Sequence, residues 1–167
     1  MDGGYAGKIG FVDLTSGEIK IEVLNKEMAR QFIGGQGLGA RILFERQQKG
    51  ADPLGPESYL GFTTGPLTGT RTPTGGRYMA VCKSPLTGGW GDANCGGNFA
   101  PAIKRAGYDG IFFVGQSEEP VYLLVTEEGA TLEDAGELWG VDAVSTEDRL
   151  REQHGKRARV ACIGQGG

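Results

Sequence analysis

GIFFVGQSEEPVYLLVTEEGATLED, residues 110–134, strings apolar runs together through short polar links. Ile111 to Val114 and Val121 to Val125 are far shorter than the roughly 10–12 residues a buried helix needs, and they are rich in the β-branched and aromatic types that suit a pleated surface. Glu127-Glu128-Gly129 supplies a tight turn into the next run, so this pair reads as a hairpin. A chain built of buried strands on hairpin-length links is α+β with largely antiparallel sheets and short helices.

Working outward, KIGFVDLTSGEIKIEVL (residues 8–24) reads as a second hairpin about Thr15-Ser16-Gly17. Ile19, Ile21 and Val23 alternate with Lys20 and Glu22, which predicts an apolar face turned inward and a wet charged face. NKEMARQFIGGQG predicts a helix capped by Asn25, with Met28, Phe32 and Ile33 on one face and Gly34-Gly35 at its end. A second helix over 38–48 presents Leu38, Ile42 and Leu43. ADPLGPE is a proline-fixed connector to a buried strand at 59–64, and a further strand is expected at 77–83. NFAPAIKRAG predicts a short helix ending at Gly107, with Pro101 in its first turn. VSTEDRLREQHG predicts one capped by Ser145 or Thr146 and closed by Gly155, and ARVACIG a last strand.

Composition narrows the function. The chain has 167 residues, 21 acidic against 17 basic, which argues against a nucleic-acid partner. No apolar run approaches the roughly 20 residues of a membrane span, and MDGGYAGKIG lacks the plan of a secretion signal, so a cytoplasmic protein is expected. Cys82, Cys95 and Cys162 are far apart and form no Cys-x-x-Cys pair. They encode neither a disulfide framework nor a complete cluster site. Lone His154 reads as a solvated helix end, Glu127-Glu128 as a turn, and Trp90 and Trp139 as packing or cofactor-wall residues. The 31 glycines are the outlier, because average usage of about 7% predicts roughly 12.

Many of those glycines fall in GPLTGTRTPTGGRYMAVCKSPLTGGWGDANCGG, residues 65–97, where Pro-Leu-Thr-Gly occurs twice, at 66–69 and 85–88. Missing Cβ atoms let backbone N–H groups approach an anion or a planar ring, threonine hydroxyls add donors, and Arg71, Arg77 and Lys83 bring positive charge. The surface suits a phosphate-bearing polar cofactor. A pair of ordinary tight turns is the alternative reading. GGQGLGAR at 34–41 matches a nucleotide fingerprint only loosely, since it lies between helices and not after a strand.

GKIGFVDLTSGEI, FIGGQGLGARIL, DPLGPES, TGPLTGT, PTGGRY, KSPLTGG, ANCGGNFAPAIKRAGYDGI and PVYLLV resemble, in the same order, the N-terminal domain of the tungsten-containing aldehyde:ferredoxin oxidoreductase family. The resemblance runs from about residue 7 to 167 and implies that the whole chain is one pyranopterin-binding domain of that type. It implies a floor for a bis-pyranopterin cofactor of tungsten or molybdenum, with Arg77 touching the pterins and phosphates. Asn94 would take the pterin and magnesium role, Gly96 a close backbone contact, and Gly97 a contact by adjacency. The two repeated turns would then shape a two-sided platform. The resemblance stops before the family's next Gly-Arg-Gly-Gly segment and the helical parts that carry a 4Fe-4S cluster. It therefore implies a cysteine-bearing catalytic domain or subunit as partner and ferredoxin as the electron acceptor of the whole enzyme. Cys95 is expected to be a small packed residue, with no catalytic residue in this chain. A free-standing module that stores or delivers the cofactor, and a folded domain without ligand, are the alternatives.

Overall fold

Local turn chemistry starts the fold. Asp13 accepts hydrogen bonds from the Thr15 and Ser16 amides at 2.8 and 3.2 Å, and Gly17 takes a left-handed φ of 73°. The chain therefore reverses from β1 (Lys8–Asp13) into β2 (Ile19–Val23). The computed structural model describes residues 3–165. Its main sheet has the order β2-β1-β6-β3-β4-β5, with β3 at Leu60–Thr64, β4 at Tyr78–Lys83, β5 at Trp90–Cys95 and β6 at Gly110–Val114. All neighbours in it are antiparallel except β1 and β6, which run parallel. β7 (Val121–Val125) and β8 (Ala130–Asp134) make a separate antiparallel hairpin. The expected α+β class with mainly antiparallel pairing is what the chain adopts.

The two faces of the large sheet carry different covers. Helices α1 (Lys26–Phe32) and α2 (Gly35–Arg46) bury Ala29, Leu38, Ile42 and Leu43 against Ile9, Phe11, Met79, Val81 and Phe112. Fully burying a side chain such as Leu38 or Phe112 stabilises the fold by about 1.5–3 kcal/mol. Glycine sets the spacing: a Cβ on Gly39 would stand 2.9 Å from Val81, so α2 lies flat on β4 only without one. On the other face, α3 (Phe99–Arg105) brings Ile103 to Val12, Tyr108 and Ile111, with Leu123, Val125 and Leu132 of the β7–β8 hairpin packed beside them.

Four expectations need correction. On β2 the expected faces hold only at the start, where Ile19 is half-buried beside the cluster of Val12 and Ile103 and Lys20 is exposed; further on, Ile21 and Val23 are exposed (43% and 81%) and Glu22 is half-buried. Register places Lys20 opposite Phe11 and Glu22 opposite Ile9, on the side of α2, where Arg46 lies over the Phe11 ring and pairs with Glu22. α4 (Ala143–His154) starts earlier than expected because Asp142 accepts from the Val144 and Ser145 amides, both at 3.0 Å. A carboxylate is the stronger acceptor, so it caps in place of Ser145 or Thr146. Residues 158–164 form no strand. Finally, β5 was not foreseen, since Trp90 to Cys95 lacks an apolar alternation, and all but one of its residues are exposed.

One buried charge ties the chain ends of these elements together. Asp109 is fully buried, accepts from the Ala6 and Gly7 amides at 3.1 and 2.6 Å, and pairs with Lys104, which also donates to the Gly4 carbonyl at 2.8 Å. The N-terminal strap is thus pinned to the C-terminal end of α3.

Candidate functional site

The link between β3 and β4, residues 65–77, is the glycine-rich stretch, and hydrogen bonds make it a defined object. Thr68, 6% exposed, accepts from the Gly65 amide at 3.2 Å and donates to the Arg77 carbonyl at 3.0 Å. The Gly69 amide donates to the Gly75 carbonyl at 3.2 Å. A Cβ on Gly75 would stand 2.6 Å from the Leu67 carbonyl oxygen, and one on Gly76 would stand 2.8 Å from that of Gly97. The first Pro-Leu-Thr-Gly turn, the Gly75-Gly76 segment and the residues just after β5 therefore approach closely through glycine backbone, with the Thr68 hydroxyl bonded between Gly65 and Arg77.

Arg77 and Asn94 come together on this floor. Arg77 Nε donates to Asn94 Oδ1 at 2.6 Å, and a Cβ on Gly96 would stand 3.5 Å from Arg77 Nη1. Gly97 follows with a φ of 103°, a conformation that favours glycine. All four expected site residues are exposed. Two common fates of such residues do not apply among the described residues: Arg77 is paired with no carboxylate, and Asn94 lies in β5 and not in a left-handed turn. With Nε spent on Asn94, neither Nη group has a hydrogen-bond partner among the described residues, which leaves both as donors for an oxyanion. The Asn94 carbonyl oxygen keeps one lone pair. Next along β4, Tyr78 is held at a high pKa, about 12, first by burial and then by its contact with Cys95.

The second Pro-Leu-Thr-Gly copy behaves differently. Ser84 exchanges backbone bonds with Gly88 and Gly89, both at 2.8 Å, closing an ordinary hairpin turn between β4 and β5, and Leu86 is 93% exposed. It stands at the far end of β4 from Arg77. Thus only one copy touches the candidate residues.

Other sequence expectations resolve less simply. Cys95 is exposed, not packed, because the edge strand β5 has nothing over it in the described residues. His154 is half-buried and bonded to the Tyr122 hydroxyl at 2.9 Å, so it is not a freely solvated helix end. Trp139 is 78% exposed, while Trp90 bonds Asp92 through its indole N–H at 2.8 Å. Sequence reasoning counted Thr68 only among the hydroxyl donors of the stretch, missing its bond to the Arg77 carbonyl, and overlooked the Lys104–Asp109 pair. The repeat itself could have flagged Thr68, whereas nothing local marks a buried pair formed with distant backbone.

A cavity of about 840 Å³ lies between the second face of the sheet and the β7–β8 hairpin, with Phe62, Phe99, Ile111, Phe113 and Leu123 in its wall. None of the four candidate residues lines it. Among the described residues no three His, Cys, Asp or Glu side chains gather as a metal-binding set, and no helix is long and apolar enough to cross a membrane.

Comparison with known proteins gives the family of the chain. Residues 9–167 match the family described as aldehyde ferredoxin oxidoreductase, N-terminal domain. The chain is 46% identical over 165 residues to a tungsten-containing aldehyde ferredoxin oxidoreductase of Pyrococcus abyssi, covering 98% of this chain and 27% of that protein. It is 36% identical over 155 residues to an aliphatic sulfonate oxidoreductase, WOR-like subunit, of Pyrococcus furiosus, covering 90% of this chain and 24% of that one. Among solved structures, the active site complex of benzoyl coenzyme A reductase with 1,5-dienoyl-CoA superposes with a TM-score of 0.94 at 35% identity. That match covers 98% of this chain and 25% of the other. The chain therefore spans about a quarter of the length of the relatives it matches.

Proposed function

The chain belongs to the aldehyde ferredoxin oxidoreductase N-terminal domain family, and on that premise we propose that it forms the floor of a tungstopterin site in a larger oxidoreductase. The observation that carries the proposal is the exposed Arg77–Asn94 pair set on backbone that glycine alone permits. The donor set fits a pterin with phosphate groups: a guanidinium with its outer nitrogens free among the described residues, and exposed glycine backbone at Gly96 and Gly97. Arg77 neutralises phosphate charge, and the glycines let the ring system lie close. Asn94 orients Arg77, and its second lone pair would be an oxygen ligand for magnesium, a hard cation. When bound, the tungsten or molybdenum group supplies the two-electron redox centre, and the protein supplies position and charge.

The names of the relatives bear on substrate. Aldehyde, aliphatic sulfonate and a coenzyme A thioester differ in shape and charge, yet the proteins named for them share this part. We assign the choice of substrate, the 4Fe-4S cluster and the contact with ferredoxin to the rest of such an enzyme. An open floor also argues against a storage module, which would leave its cofactor in water. The test compares Arg77→Ala and Asn94→Ala with the parent after purification from native cells. Tungsten, molybdenum and pterin content are set against the unfolding midpoint. Loss of content at an unchanged midpoint is expected, and full content in both variants overturns the reading.

A further inference from the structure

The repeated tetrapeptide gives the same residue two different situations, and the difference points to Thr68. Its hydroxyl is buried and used twice, accepting from the Gly65 amide and donating to the Arg77 carbonyl. Its counterpart Thr87 is exposed and accepts only from Gly89, two residues on. Arg77 needs an external anchor. It stands one residue before β4 begins, after two glycines, and among the described residues its carbonyl has no partner but Thr68. Holding that carbonyl fixes the peptide plane that carries the Arg77 Cα, which leaves rotation about the Cα–C bond as the freedom by which its Cβ can turn relative to that plane. The guanidinium then reaches Asn94 across the strand pair.

We propose that Thr68 is a positioning residue: its hydroxyl sets the backbone from which Arg77 addresses an oxyanion, while Thr87 has no such role. The inference rests on the reading of Arg77 as an anion contact. It deepens that reading by naming what holds the contact in place.

Thr68→Val keeps the shape and removes the hydroxyl, Thr68→Ser restores it, and Thr87→Val is the matched control. The first measurement is the Nε–H resonance of Arg77 in the 167-residue chain, assigned by its absence in Arg77→Ala. The resonances of Arg41 and Arg46, in α2, report any general loosening. The second is affinity for inorganic phosphate, the probe used throughout. In Thr68→Val the Arg77 signal is expected to shift toward free guanidinium while those of Arg41 and Arg46 stay, with phosphate bound about 10-fold more weakly, near the worth of one hydrogen bond to a charged group. Thr68→Ser and Thr87→Val are expected to match the parent. An unmoved Arg77 signal in Thr68→Val overturns the inference even where Arg77→Ala abolishes binding. Unchanged phosphate affinity in Arg77→Ala instead sinks the anion reading beneath it. Should Thr68→Val not fold, Thr68→Ser decides through the same resonance: a folded Ser variant with a shifted Arg77 signal overturns the proposal.

Discussion

Tyr78 shows how a single residue reports on the floor. Its phenol sits between buried Met79 and exposed Arg77 in sequence, and its ring packs edge-on to Phe99, with centroids 5.4 Å apart. Burial disfavours the phenolate, and the neighbouring Cys95 thiol disfavours it further, so the pKa rises to about 12 from an ordinary 10.0. A group raised in the folded state stabilises the fold fully below its unfolded pKa and loses that contribution as pH climbs through the folded value. Stability should therefore decline between about pH 10 and pH 12. Burial also raises Tyr5 and Tyr122, so phenolate absorbance followed against pH should show several late tyrosines, of which the latest disappears in Tyr78→Phe. If the latest step survives in Tyr78→Phe, the assignment fails. Cysteines offer a second view: burial holds the Cys82 thiol above its usual range, so alkylation at mild pH should label exposed Cys95 before Cys82, as peptide mass mapping will show.

Among the elements, α3 and the N-terminal strap are joined by Asp109, and the energetics of that joint are lopsided. The carboxylate holds two amides and the Lys104 ammonium in a dry place, so removing it strands a buried positive charge and two backbone donors. Asp109→Ala is expected to cost about 3–5 kcal/mol, read as a fall in the denaturation midpoint, and a loss below about 1 kcal/mol would show the strap to be dispensable. That joint also marks where sequence reading stops. Hairpins were legible because Asp13, Gly17 and Gly129 carry their turn chemistry locally, and α1 because the Asn25 side chain caps the Met28 amide at 2.7 Å. How far along β2 the apolar face stays covered was not legible: Ile19 packs inward as alternation predicts, while Ile21 and Val23 are exposed and α2 draws Glu22 to its own side through Arg46. β5 escaped because an exposed edge strand needs no apolar pattern, and residues 158–164 misled because apolar residues beside a cleft imitate a strand. At the site, the motifs pointed to Arg77 and Asn94, but their mutual hydrogen bond depends on Gly76 lying against Gly97, which no spacing reveals.

At the scale of the molecule, the position of the Arg77 floor decides what the chain does alone. Its residues stand in water on the glycine-rich edge of the sheet, while the cavity beside the β7–β8 hairpin has none of them in its wall. Charge stabilisation weakens in that setting: two unit charges 4 Å apart gain about 1 kcal/mol in bulk water against about 4 kcal/mol near a protein surface of effective dielectric 20. The chain's net charge of −4 opposes an anionic ligand further, and at physiological salt Arg77 is screened beyond about 8 Å. The 167-residue chain by itself is therefore expected to bind phosphate weakly, with affinity falling as salt rises, and to oxidise no aldehyde. Aldehyde-dependent reduction of a viologen dye by the purified chain checks this, alongside the same assay on the full-length relative from Pyrococcus abyssi. Turnover by the chain alone, at a rate above that of the Arg77→Ala variant, would mean that an uncovered floor suffices for chemistry. No turnover, together with salt-sensitive phosphate binding that Arg77→Ala abolishes, is the outcome expected from the proposed reading.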